Sequence, residues 1–120
     1  MKDHTRRSVA YVVGRLAGNP SGVVYDHEIG TRTIIAGDVD RGGVNVYDYD
    51  RRARLSGSPT GDGLDLFDHG DRAHVQISLR SPGWCVGFDQ ATRSHFEVRA
   101  HGREIEVFDF ETRRTHVYTV

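Results

Sequence analysis

The feature that most constrains this chain is a dipeptide, an aromatic residue followed by aspartate, that returns at an almost fixed interval. It occurs as Tyr25-Asp26, Tyr47-Asp48, Phe67-Asp68, Phe88-Asp89 and Phe108-Asp109, at spacings of 22, 20, 21 and 20 residues. A period of this size marks a recurring supersecondary unit, and the fold has to be read from that unit. After each aspartate and a short gap come an arginine, a small residue and a polar–apolar pair. The copies are Arg52-Ala53-Arg54-Leu55, Arg72-Ala73-His74-Val75, Arg93-Ser94-His95-Phe96 and Arg114-Thr115-His116-Val117. The first copy is looser, with Arg32-Thr33-Ile34-Ile35 after a longer gap. The connections repeat too: Arg15-Leu16-Ala17-Gly18-Asn19-Pro20-Ser21-Gly22 parallels Arg54-Leu55-Ser56-Gly57-Ser58-Pro59-Thr60-Gly61, and Ser81-Pro82-Gly83 takes the same slot.

Each copy reads as two short strands. Before the aromatic, aliphatic residues alternate with others: Val44 and Val46, Leu64 and Leu66, Ile105 and Val107. After the arginine, Leu55, then Val75 and Ile77, then Phe96 and Val98 fall on one side. Alternation with period two marks half-buried strands rather than helices. The aspartate between them suits a tight turn, because its carboxylate accepts hydrogen bonds from backbone N–H groups one or two residues on. Ala100-His101-Gly102-Arg103 predicts a compact hairpin turn with glycine at positive φ. The segment Ser8–Ala17 is ambiguous: Val9, Val12, Val13 and Leu16 would share a helical face, but β-branched residues dominate it, and it is read as a strand. The chain would then start and end on equivalent strands, which could meet and close the array.

Charge and composition exclude several classes. With 16 cations against 17 anions, a general polyanion binder is not expected, and nucleic acid is set aside as a partner. No stretch approaches the roughly 18 apolar residues of a membrane span. No secretory leader is apparent at Met1–Arg7. Cys85 is the only cysteine, so neither an internal disulfide nor a thiolate metal cluster can form; a reducing, cytoplasmic setting is the expectation.

The Tyr-Asp motif, the arginine after it and the period near 21 resemble the YD repeats of RHS-type proteins. They are also similar to small bacterial β-flower domains, in which short hairpins surround a pseudo-symmetry axis. The resemblance covers residues 23–120 and implies a small, closed, non-catalytic β domain. The chain departs from those families at one place. They usually carry glycine immediately before the arginine, where this chain has Thr31, Arg51, Asp71 and Thr92.

The candidate site residues follow from the repeat. Arg72 and His74, Arg93 and His95, and Arg114 and His116 are spaced 21 residues apart and lie opposite the aliphatic register. Set around an axis they could converge as a three-histidine metal site or as a ring for a carboxylate or phosphate. The plainer reading is a solvated strand face repeated because the strand is repeated. Trp84, beside Gly83, is the candidate for a contact outside the repeat. The aromatic column, Tyr25, Tyr47, Phe67, Phe88 and Phe108, is read as a second layer of core. The five aspartates are read as turn caps, and Cys85, in the aliphatic register, as a buried structural thiol. No phosphate loop, nucleophile elbow or zinc-protease motif is present.

The expectation is therefore one all-β domain over residues 1–120. It contains about five hairpin repeats of about 21 residues, with ten to eleven short strands closed into a flower-like or barrel-like array. Its expected function is non-enzymatic binding of a protein or a small anionic ligand, without a cofactor. The alternative is a small-ligand or metal carrier that uses the Arg/His face.

Overall fold

The computed structural model describes residues 1–120. One helix, α1 (Asp3–Leu16), precedes ten antiparallel strands: β1 (Val23–Asp26), β2 (Thr31–Asp40), β3 (Gly43–Asp48), β4 (Ala53–Pro59), β5 (Gly63–Asp68), β6 (Ala73–Ser81), β7 (Trp84–Asp89), β8 (Ser94–His101), β9 (Glu104–Asp109) and β10 (Arg114–Thr119). Each strand pairs with its neighbours in sequence, and β1 pairs with β10, so the sheet closes as a barrel. The closing seam is short, with Tyr25 opposite Thr119 and Asp26 opposite Tyr118.

The five repeats are five hairpins, β1–β2 through β9–β10. In every one the motif aspartate faces the residue five positions on: Asp26 Thr31, Asp48 Ala53, Asp68 Ala73, Asp89 Ser94 and Asp109 Arg114. The turns are therefore alike and sit at one end of the barrel, here called the aspartate end. The fourth residue after each aspartate adopts positive φ: Gly30 at 69°, Arg52 at 52°, Arg72 and Arg93 at 53°, and Arg113 at 59°. In three copies, Arg52, Arg72 and Arg93, the left-handed residue is the motif arginine itself; in the last it is Arg113, immediately before Arg114, and in the first it is Gly30. At the other end the connections are irregular. The predicted turn at Gly102-Arg103 forms, with Gly102 at φ 62°.

Alternation places Val44, Val46, Leu55, Leu64, Leu66, Val75, Ile77, Cys85, Phe96, Val98, Ile105 and Val107 in the core, as the pattern predicted. The aromatics of the motif do not form a second core. They are half-buried on the outside and pack edge-on against a ring in their own hairpin, such as Tyr47 on Tyr49 or Phe108 on Phe110, with centroids 4.9 Å apart. A lone closed sheet has only one inner face, and the aspartates share it with the aliphatics.

Residues 3–16 form a helix, not the strand expected. It is enclosed by the barrel: Val9, Ala10, Tyr11, Val12 and Val13 are consecutive and at most 2% exposed. A helix buried on every side needs no polar face, and burial overrides the modest helix penalty of its valines. Small residues permit the fit. A Cβ on Gly14 would lie 2.7 Å from the Val120 side chain. Pro20, past the helix C-terminus, cannot extend the helix. The likeness between residues 15–22 and 54–61 is therefore one of sequence only, since the first ends a helix and the second ends β4.

The barrel is wide enough for the helix because its strands are strongly staggered. At three junctions the aspartate of one hairpin faces the residue seven positions past the preceding aspartate: Asp68 Leu55, Asp89 Val75 and Asp109 Phe96. At the other two it faces the ninth, Asp48 Ile35 and Asp26 Tyr118. These wider slips flank hairpin β1–β2, and α1 packs against β1 and β2 together with β8, β9 and β10.

Candidate functional site

The aspartate end is built from a single turn chemistry used five times. One carboxylate oxygen of each aspartate accepts the backbone N–H two residues on: Glu28, Asp50, Gly70, Ala91 and Glu111, at 2.9–3.1 Å. The capping role expected of the aspartates is thus present. The alternation also turns all five carboxylates inward, where each residue is at most 6% exposed. Buried carboxylates require partners, and the enclosed helix supplies several. Arg6 reaches Asp109 at 2.9 Å and Arg7 reaches Asp48 at 2.9 Å. The amino group of Met1 lies 3.2 Å from Asp109. Asp68 takes two bonds from Arg51, at 2.8 and 3.1 Å, so its partner comes from the preceding hairpin rather than its own.

These contacts set the titration behaviour. Burial alone would raise the Asp109 carboxyl, but the Glu111 N–H, Arg6 and the Met1 amine outweigh it and hold it below the usual range. Asp71 behaves likewise: burial is outweighed by His4, Arg51 and Lys2. Burial, with Asp26 nearby, pushes the Tyr118 phenol up to about 12. His4, Asp68 and Asp71 bring their ligating atoms within 4.8 Å of one another, a spacing a metal could use. Arg51 and Lys2 already neutralise that cluster from within the chain, at 2.8–3.4 Å.

The predicted Arg/His residues do not converge. His74 and His95 sit six positions after their aspartates, outward and exposed, with their rings 4.9 and 4.8 Å from Phe67 and Phe88. His116 sits seven positions after Asp109, in the register of Leu55, Val75 and Phe96, and is only 2% exposed. The spacing of 21 misleads here because the last two aspartates are 20 apart, and a one-residue slip moves a side chain to the other face. Arg72 and Arg93 occupy left-handed turn positions, whereas Arg114 begins β10 and pairs with Glu28. A metal site of three convergent histidines is not formed.

His116 has a different role, which its sequence spacing concealed. Its Nδ1 lies 2.9 Å from Glu28 and its Nε2 2.9 Å from Thr112. Thr33, at the equivalent position of the first hairpin, bonds Asp50 of the next turn at 2.8 Å. These two polar pairs bridge the two wide-slip junctions, where the other three junctions carry apolar residues. His116 and Arg114 together hold Glu28 below the usual carboxylate range.

Outside the barrel, hairpins β5–β6 and β7–β8 carry two adjoining depressions that meet at Gln76. One, of about 730 Å³, is lined by Arg72, His74, Asp65 and Gln90. The other, of about 680 Å³, has Val86, Phe88 and Phe110 as apolar walls and Arg80, His95 and Ser78 as polar ones. The acids near the second are engaged: Glu97 accepts the Trp84 indole N–H at 2.9 Å, and Asp62 accepts the Ser78 hydroxyl at 2.6 Å. Arg80 and His95 make no ion pair or hydrogen bond through their side chains, so the groove holds two basic side chains without a partner, beside the neutral Thr60.

No family model, curated protein or solved structure matches the chain. Trp84 stands at the far end of β7 from Asp89, half-buried, with the Arg99 guanidinium 4.6 Å above its ring. It belongs to neither depression. Cys85 is fully buried, and that burial pushes its thiol up to about 12, which disfavours the thiolate a nucleophile needs. No helix is long and apolar enough to cross a membrane.

Proposed function

We propose that this domain is a non-enzymatic binding module whose working surface is the groove outside β6–β8. The observation that carries the reading is the lining of that groove. Apolar walls from Val86, Phe88 and Phe110 face the uncommitted basic side chains Arg80 and His95. Such a surface suits a group with an aromatic or aliphatic body and one carboxylate, presented by a protein segment or a small molecule. The lumen is an unsuitable site for a carried ligand, because α1 fills it. Kinship with β-flower or YD-type domains is part of this proposal and rests on the aromatic–aspartate repeat, and a cytoplasmic setting rests on the single Cys85.

Titration with 4-phenylbutyrate, followed by backbone amide shifts, tests the reading. Shifts concentrated on β6–β8, weakened at least several-fold by Phe88→Ala or Arg80→Ala, are expected. The reading fails if millimolar probe moves no amides there, or if the response survives both substitutions.

A further inference from the structure

The four left-handed arginines are the least explained feature of the molecule. Arg52, Arg72, Arg93 and Arg113 take equivalent turn positions at φ 52–59°, where hairpin β1–β2 places Gly30. L-residues other than glycine, asparagine and aspartate rarely adopt this conformation, and observed strain of this kind is a pointer to function. All four are exposed. None of their guanidinium groups forms an ion pair or a hydrogen bond within the chain.

The acids at the same end, by contrast, are engaged. Asp48 pairs with Arg7, Asp109 with Arg6, and Asp68 and Asp71 with Arg51. Glu28 pairs with Arg114 and His116, Glu111 with the Met1 amine, and Asp50 accepts from Thr33. The rim thus presents four exposed guanidinium groups with no partner in the chain; of the carboxylates at this end without an ion pair, Asp26 and Asp89 are buried inward under backbone N–H and hydroxyl donors, and Asp50 accepts from Thr33. Equivalent positions in adjacent hairpins are two strands apart, roughly 10 Å. In the turns of the same end, Ile29 stands exposed beside Gly30, and Tyr49, three residues before Arg52, is exposed and packs edge-on against Tyr47.

We infer that this rim docks an acidic protein segment, with the four arginines receiving its carboxylates. Arginine's planar fork matches carboxylate geometry, and arginine beside exposed tyrosine is the composition of protein-interface hot spots. Nucleic acid is the poorer occupant. Its affinity grows with the number of phosphates neutralised, and the rim offers only four unpaired cations. This surface is distinct from the groove over β6–β8, and either can fail without the other.

The test uses a labelled peptide of about twelve glutamates. It compares the intact protein with the variant R52G/R72G/R93G/R113G, in which every turn takes the residue that Gly30 already supplies. That variant keeps the turn geometry and removes only the charge, so its far-UV spectrum and urea midpoint should match or exceed those of the parent. Expected are salt-sensitive binding by the parent, a loss of tenfold or more in the glycine variant, and a smaller loss in R52K/R72K/R93K/R113K. The inference is overturned if the parent ignores the peptide at low salt or if the glycine variant binds equally well. Tighter binding to duplex DNA or phosphatidylglycerol vesicles than to the peptide overturns it as well.

Discussion

The two ends of the barrel use the same turn cap in opposite surroundings. At the aspartate end, Asp109 accepts the N–H of Glu111 at 2.9 Å and is fully buried against Arg6 and the Met1 amine. At the other end, Asp40 accepts the N–H of Gly42 at 2.7 Å and is exposed. The local geometry is alike; the energetics are not. An exposed cap competes with water, whereas a buried carboxylate is half of a charge balance whose other half is also out of water. Repetition therefore belongs to the aspartate end, where each turn must serve the interior. The other end varies freely: β2–β3 turns through Arg41-Gly42, β4–β5 through three residues, and the β6–β7 pairing shifts register between Leu79 and Ser81.

The largest effect expected from this contrast is in the pair Asp109→Ala and Asp40→Ala. Removing Asp109 leaves Arg6, 5% exposed, with Asp3 as its one remaining ion-pair partner, at a cost of about 3–5 kcal/mol. Removing Asp40 costs about 0.5–1 kcal/mol, the loss of one exposed cap. Urea denaturation of the two variants measures both. Similar losses would mean that burial is not what distinguishes the ends.

Much of this was open to inspection in the primary structure, and the rest was hidden for identifiable reasons. The hairpins, their turns and the aliphatic core followed from period-two alternation and the aromatic–aspartate interval. The same alternation already put Asp48 on the face of Val44 and Val46, so the inward ring could have been read, with Arg6 and Arg7 as its partners. The helix could not be read from propensity, because Val9, Val12 and Val13 favour strands and only the surrounding barrel reverses that preference. His116 was misplaced by aligning copies on the arginine. Counting from the aspartate puts it seven residues on, beside Phe96 and Val75. The outer groove has no sequence signature of its own: it joins Arg80, Phe88, His95 and Phe110 from different strands and a turn.

Acid should separate the ends more gently than Asp109→Ala does, because a protonated carboxyl still accepts a hydrogen bond. The carboxyls of Asp109, Asp71 and Glu28 are all held below their usual values in the folded chain. A depressed folded value means that the unfolded chain takes up protons first. The stability these groups contribute is therefore full above about pH 4.5 and is lost as pH falls through the depressed values. Hydrogen exchange between pH 6 and 3 should show protection falling first in the initial turn of α1 and in the β1–β2, β5–β6 and β9–β10 turns. Earlier loss around Arg41-Gly42 and Gly102-Arg103 would contradict the charge balance described for the aspartate end.

The smallest effect sharpens the comparison within the aspartate end itself. Arg52 and Gly30 hold the same turn position, at φ 52° and 69°. Arg52→Gly relieves a left-handed residue, worth about 1–2 kcal/mol, but loosens the unfolded chain by about 0.5–1 kcal/mol. The expected net is therefore a stabilisation of between about 0 and 1.5 kcal/mol. Gly30→Ala runs the other way. Its Cβ would meet nothing closer than the Tyr25 hydroxyl at 3.8 Å, so the cost is conformational, and a loss of up to about 1.5 kcal/mol is expected. Opposite signs at one turn position, read from urea midpoints, would show that arginine is held there against the local preference of the backbone. A marked destabilisation by Arg52→Gly would instead mean that the side chain supports the fold, and the strained turns would then need no partner to account for them.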